Sequence, residues 1–279
     1  MLQLPATITG VPVPDADASI PRSILGNLLV QGEPLYQFAA RAVIRILPGV
    51  VVKINRSNDV TEAHILDHIH RHSPQFPAPQ PLGMLRIGDW SYTFTSFIQG
   101  IRLDSLWADL TPNKKCHVRD QLDQLFTELR RLPTPSNEGC FGGGIPPTCK
   151  GGFRYGKTSS SPVANEAQFN DFLLDDSSLE PARIEYIRKS LISDHQIVLT
   201  HGDLCLLNII VESKDAPHIA GIVDWDTGGA YPDYWEYVTA LHSSISKQSD
   251  WCLYLPEAGI GRFFAEYAQY SVIGRYATA

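Results

Sequence analysis

Residues 197–208 read IVLTHGDLCLLN, and residues 209–226 continue IIVESKDAPHIAGIVDWD. Three short apolar runs, 197–200, 209–211 and 218–223, have the length and β-branched content of buried strands. Between the first two lies the octapeptide His201-Gly202-Asp203-Leu204-Cys205-Leu206-Leu207-Asn208, and the third ends at Asp224. This order places Asp203, Asn208 and Asp224 at the mouths of neighbouring strands. Phosphoryl transfer needs a carboxylate to orient an attacking hydroxyl and oxygen ligands for Mg²⁺ on the nucleotide phosphates. Two carboxylates and one amide at this spacing meet both needs. An aspartate at a strand end is often only a turn or helix cap, but the whole H-x-D-x-x-x-x-N run followed by a strand ending in Asp is far more specific.

Upstream, two β-rich runs at 41–47 and 50–54 are separated by Pro48-Gly49, which is hairpin punctuation. Val60, Ala63, Ile65 and Ile69 predict a helix over 60–70, and FPAPQPL at 76–82 predicts an extended connection. Further strands are expected at 83–87 and 92–98, turning at Gly88-Asp89. The first 40 residues read as an irregular arm with one short helix. Downstream, Val118, Leu122, Leu125, Leu129 and Leu132 mark an amphipathic helix over 115–132. Residues 133–162 read as a long loop, 165–174 and 181–192 as short helices, and 261–270 as a last helix. Pro232 is expected in the first turn of a helix running to about Ser244. The pattern is α+β: a small antiparallel-sheet part (1–97) joined to a mainly helical part (98–279).

Composition narrows the partners. A net charge of -7 lacks the basic excess of a sequence-independent nucleic-acid binder. Five cysteines form no C-x-x-C pair, so neither a disulfide framework nor a zinc site is expected. The start MLQLPATITGVPVP is no signal peptide, and no apolar run approaches the ~20 residues of a membrane helix. A cytoplasmic protein without membrane association is expected.

LTHGDL…NIIV, GIVDWD and YPDYWEY together resemble the aminoglycoside phosphotransferase family, of fungal type, within the two-lobed protein-kinase-like fold. The resemblance runs from about residue 50 to 237. It implies an ATP-dependent phosphotransferase that moves the γ-phosphoryl group to a hydroxyl of a small molecule. It implies Asp203 as the catalytic aspartate, with His201 shaping its loop, and Asn208 and Asp224 as Mg²⁺ ligands. Lys53 in VVKI then matches the strand lysine on the α- and β-phosphates, and Glu62 the helix glutamate paired with it. Residues 95–98, Ser96 and Ile98 among them, match the hinge whose backbone pairs with adenine. No glycine lies between Gly32 and Gly49, so the usual glycine cradle near the first hairpin is absent. Apolar Cys205-Leu206-Leu207 stands where a basic or polar residue is common.

Two other functions compete. One is a catalytically idle or repurposed kinase-like protein that binds a nucleotide or metabolite. The other is a P-loop nucleotidase, because residues 151–158 (GGFRYGKT) fit G-x-x-x-x-G-K-[ST] with Lys157 as the phosphate lysine. A P-loop needs a strand before it and a helix after, yet GIPPTCK precedes and SSSPVAN follows. A protein kinase is disfavoured because so few residues separate Asp224 from Trp235, with no D-F-G or A-P-E. Tyr231, Tyr234, Trp225 and Trp235 read as core packing. Alternatively, with Asp226, Asp233 and Glu236 they wall a pocket suited to a cationic acceptor such as an amine. A nucleophilic role for Cys205 lacks a partner histidine.

Overall fold

The computed structural model describes residues 7–9, 19–38, 41–56, 59–135, 139–151, 157–175, 179–243 and 249–275. Its N-terminal part is a six-stranded antiparallel sheet in the order β1-β5-β6-β4-β3-β2. The strands are β1 (Thr7–Thr9), β2 (Glu33–Phe38), β3 (Arg41–Leu47), β4 (Val50–Asn55), β5 (Pro81–Ile87) and β6 (Trp90–Ser96). Helix α1 (Ser19–Gln31) precedes β2, and α2 (Thr61–His72) follows β4. The hairpins at Pro48-Gly49 and Gly88-Asp89 form as the punctuation predicts.

The first 40 residues depart from the expected irregular arm. They supply a 13-residue helix and the strands β1 and β2 at the two edges of the sheet. Proline hides such a strand from sequence reading. Pro34 lies in β2, where the register slips between Pro34 and Tyr36, and an edge strand tolerates the missing N–H.

Strand alternation aims the key lysine. Val52 and Ile54 are buried with Leu25 of α1, Ile87 and Tyr92. Lys53, between them, therefore emerges on the opposite face, opposed by Val43 on β3 and Thr93 on β6.

After β6 come β7 (Ile101–Arg102), α3 (Asp104–Trp107), α4 (Pro112–Leu129), α5 (Glu166–Leu174) and α6 (Pro181–Ser190). Helix α4 starts earlier than its apolar spacing shows, because Thr111 caps it and Pro112 opens it. Then follow β8 (Ile197–Thr200), a single turn at Leu206–Asn208, β9 (Ile209–Val211), β10 (Ile219–Ile222) and β11 (Gly229–Pro232). Helices α7 (Trp235–His242), α8 (Glu257–Ile260) and α9 (Phe264–Arg275) close the order. Pro232 is not in a helix. It ends β11 opposite Ile197, and the helix begins at Trp235.

The main core joins the two parts. Ile65, Leu66 and Ile69 of α2 pack in one cluster with Val118, Leu122, Phe126 and Leu129 of α4. Leu204, Leu206, Ile209, Ile222 and Trp225 belong to the same cluster, so the site loop rests on the core rather than on solvent. A second cluster holds Phe141, Phe169, Tyr231, Tyr234, Trp235 and Tyr270. Among the described residues, no helix is long and apolar enough to cross a membrane.

Candidate active site

Four chain segments converge: β4 with Lys53, the start of α2 with Glu62, the loop 201–208, and the turn after β10. Lys53 Nζ lies 3.3 Å from Glu62 Oε2, 3.4 Å from Asp226 Oδ2, and donates a hydrogen bond to Asp224 Oδ1. Burial opposes its charge, but Asp224, Glu62 and Asp226 outweigh that and hold the ammonium well above the usual lysine range. Burial also raises the Glu62 carboxyl, against the pull of Lys53. Glu62 Oε1 accepts the backbone N–H of Trp225 at 3.3 Å, which ties α2 to the turn that carries Asp224.

Asp224 is the only non-glycine described residue with a positive φ, 68°. That left-handed conformation costs on the order of 1–2 kcal/mol for an L-residue and clusters at functional sites.

The loop 201–208 is held from behind. The side chain of His201 is fully buried, edge-on to Trp225 at 4.6 Å between ring centroids. Its Nε2 donates to the Val223 carbonyl at 3.0 Å, and its Nδ1 accepts the Asp203 N–H at 3.2 Å. Only the neutral Nε2–H tautomer can do both. Asn208 Nδ2 donates to the Asp203 carbonyl at 2.8 Å and to Asp203 Oδ2 at 3.0 Å. This leaves the amide oxygen of Asn208 as its donor atom for a cation. Val223 N–H donates to the Asn208 carbonyl at 2.9 Å, so the loop and the Asp224 turn are laced together. Strand β8 pairs with β11, whereas β9 pairs with β10. The sequence picture of neighbouring strands thus holds for Asn208 and Asp224, and Asp203 joins them through its loop. Burial pushes the Asp203 carboxyl up to about 6; Asp224 adds to the rise and the Asn208 hydrogen bond opposes it.

Several residues do more than their sequence context showed. Glu236, read as a rim residue, is 1% exposed, and its carboxylate accepts the N–H groups of His201 (2.6 Å) and Gly202 (3.2 Å). A carboxylate on these two amides fixes the loop's entry. Gly202 has φ 81°, and a Cβ there would stand 2.7 Å from the Thr227 carbonyl, so only glycine fits. Asp226 also leaves the rim, for Lys53. Burial pushes its carboxyl up, but Lys53, Lys150 and Arg41 more than offset this and hold it below the usual range. Lys150 Nζ donates to Asp59 Oδ2 and to the Asp226 carbonyl. Asp59 Oδ1 in turn accepts the Thr61 N–H at 2.9 Å, at the first residue of α2.

Trp225, Trp235, Tyr231 and Tyr234 are all buried and pack in the core, so they do not wall an acceptor pocket. Cys205 is 3% exposed and burial pushes its thiol up to about 12, which leaves it inert as a nucleophile. Ser96 ends β6, with its N–H on the Gln80 carbonyl at 2.9 Å and its hydroxyl accepting the Gln80 N–H at 2.8 Å. Ile98 lies beyond it, packed over Gly221 of β10.

Of the P-loop-like segment, 152–156 lie outside the described residues. Lys157 Nζ donates to the Asp175 carbonyl at 2.7 Å and sits over the Phe172 ring, 4.9 Å from its centroid. Thr158 bridges Lys150, and no helix begins between Lys157 and Glu166, so the strand-loop-helix setting of a P-loop is absent among the described residues.

Comparison with known proteins agrees with this architecture. The profile of the phosphotransferase enzyme family matches residues 51–276. A search of curated proteins returns no significant match. Among solved structures, aminoglycoside phosphotransferase APH(3'')-Id from Streptomyces rimosus ATCC10970, in complex with ADP and streptomycin, superposes with a TM-score of 0.57 at 16% identity, covering 96% of this chain and 100% of that one. Aminoglycoside phosphotransferase APH(4)-Ia gives 0.56 at 11% identity over 94% of this chain and 100% of that one. ADP-bound APH(2'')-Ib gives 0.56 at 12% over 94% and 86%. At such identities the likeness establishes the fold. The family profile spans most of the chain, including Lys53, Glu62, the loop 201–208 and Asp224, and on that ground the chain belongs to the phosphotransferase enzyme family.

Proposed function

We propose that the chain transfers the γ-phosphoryl group of ATP to a hydroxyl of a small molecule, in a cleft between lobes 1–97 and 98–279. The observation that supports this most is the meeting of Lys53, Glu62 and Asp224 beside an Asp203–Asn208 pair, drawn from four distant segments. The sheets support that boundary: the six-stranded one ends at Ser96, and β7 already pairs with β9. ADP in the structures of APH(3'')-Id and APH(2'')-Ib supports a nucleotide as donor.

In this assignment Asp203 orients the acceptor hydroxyl and takes its proton. A pKa raised toward neutral suits that task. His201 and Glu236 hold the loop without touching substrate. Lys53, kept charged and aimed by Glu62, binds the α- and β-phosphates; with the Ser96 and Phe97 N–H groups held by the Gln80 and Gly49 carbonyls, adenine would meet the backbone at Ile98.

Asp224 and Asn208 fit Mg²⁺. They offer one carboxylate and one amide oxygen, and Asp224 is 41% exposed at its side chain. Such hard donors complete a Mg²⁺ shell with water and phosphate oxygens rather than as a closed protein cage. Asp224 and Asn208 would hold the ion, which would supply positive charge against the charge developing on the transferred phosphoryl group. Most of the acceleration then comes from positioning and electrostatics.

The acidic groups near the cleft suit an acceptor carrying an amine, but Asp226 and Glu236 are engaged internally, which weakens that specific choice. Streptomycin in the APH(3'')-Id complex is that enzyme's ligand. Titration of the protein with ATP by calorimetry, with and without Mg²⁺, tests the reading. Mg²⁺-dependent binding is expected, and no binding in either condition would refute it.

A further inference from the structure

The 139–151 segment lies between α4 and α5, yet it reaches across to the start of α2. Gly142 pairs with Ala230 of β11, and the Lys150 N–H donates to the Tyr231 hydroxyl at 3.0 Å. These contacts anchor the segment to the elements that follow Asp224. Its tip is pressed against α2: a Cβ on Gly143 would stand 2.2 Å from the Gly228 carbonyl and 2.7 Å from Thr61 Cγ2. Gly144 comes nearly as close to Thr61 Oγ1. No side chain fits between the segment, the N-terminus of α2 and the turn after Asp226.

At the end of this wedge stands Lys150, with a side chain 14% exposed. Its ammonium makes two contacts that no local structure requires. One is to Asp59, whose other oxygen accepts the Thr61 N–H at the start of α2, one residue before Glu62. The second is to the backbone carbonyl of Asp226, two residues past Asp224. One cation thus bridges the helix that carries Glu62 and the turn that carries Asp224.

Lys53 needs both. Its partners Glu62 and Asp224 lie on those two pieces, and their separation decides whether one ammonium can serve both. We propose that Lys150 is a positioning residue for phosphoryl transfer, a strap that fixes the start of α2 against the Asp224–Asp226 turn and so keeps Glu62 on Lys53. It rests on the function proposed above, and it makes Lys150, not Lys157, the lysine of the 150–158 segment that matters.

A double-mutant cycle on MgATP affinity, read by calorimetry, tests this. Lys150→Met is expected to weaken MgATP binding by about tenfold in the otherwise native protein, and by less than about twofold in a Glu62→Gln background, because the strap acts through Glu62. Lys150→Arg, which keeps the charge and the donors, is expected to stay within about threefold of the native protein. Asp59→Asn keeps an oxygen for the Thr61 N–H and removes the anion. It should reproduce the loss and add nothing to Lys150→Met, and it carries the test if Lys150→Met does not fold. Equal losses in both backgrounds would mean that Lys150 contacts the nucleotide directly or serves only the fold, and would overturn the proposal. A native protein that binds no MgATP would instead refute the proposed function itself.

Discussion

Replacing Lys53 with Met removes the one ammonium that Glu62, Asp224 and Asp226 share. Glu62 and Asp226 side chains are 12% and 21% exposed, so their charges are poorly screened by water. Each contact near 3.3 Å is worth about 5 kcal/mol gross at an effective dielectric of ~20, most of it offset by desolvation. Removing one partner, however, leaves the others desolvated and repelling. The expected loss of stability is about 3 kcal/mol, the lower end for a broken buried pair, because Asp224 is partly exposed.

The loss depends on pH, and its sign follows from Glu62. Burial already raises that carboxyl above its ordinary 4.5, and Lys53 restrains the rise. Without Lys53 the folded-state pKa climbs further. Between the ordinary value and the folded one, the folded variant binds a proton that the unfolded chain does not, so its stability falls as pH rises. Urea unfolding followed by tryptophan fluorescence should show a deficit larger at about pH 8 than at about pH 5.5 by roughly 1 kcal/mol or more, one pKa unit being ~1.4 kcal/mol. A deficit below ~1 kcal/mol, or one that does not change with pH, would refute the clamped ammonium.

Asp224→Asn is expected to weaken MgATP binding by tenfold or more, on the order of the difference a carboxylate makes to a hard cation; equal affinity in calorimetry would remove Asp224 as a metal ligand. Lys157→Met should change MgATP affinity by less than about threefold, the range of an exposed charge; an essential Lys157 with a dispensable Lys53 would favour the P-loop chemistry instead. With MgATP as the varied substrate, kcat/KM should fall below about pH 6 as the Asp203 carboxyl, raised by burial, takes up its proton. A profile flat down to about pH 5 would count against Asp203 as the base.

The chemistry was legible where it is local. His201, Asp203 and Asn208 lie within eight residues, and Asp224 ends a strand whose apolar run is plain, so their types and spacing carry the reaction in one stretch. Lys53 and Glu62 were legible only through the family resemblance, each supported by the other and by the downstream loop. What stayed hidden are partners set by tertiary contact. Glu236 looks like any acidic residue at a helix start, and only the fold brings its carboxylate under the His201 and Gly202 amides. Asp226 and Lys150 are hidden for the same reason, since Lys150 meets residues 91 and 76 positions away. Prolines misled in the secondary structure: Pro34 masked an edge strand, and Pro232 imitated a helix start while ending one. In both places the strand lies at a sheet edge, where the missing N–H costs little. Strands β2 and β3 pair as far as Phe38 and Arg41, and residues 39–40 lie outside the described residues. Arg41, at the start of β3, lies 3.8 Å from Asp226 Oδ2, so a cation borders the site where a glycine cradle was missing.

Transfer of label from γ-labelled ATP to a panel of hydroxyl-bearing small molecules, run side by side with native protein and Asp203→Ala, tests the central claim most directly. The native protein should yield a labelled organic phosphate in the presence of Mg²⁺, and Asp203→Ala should lower its rate by about 10²-fold or more while still binding MgATP. Labelled product formed at the same rate by Asp203→Ala would contradict the assignment of the reaction to this constellation.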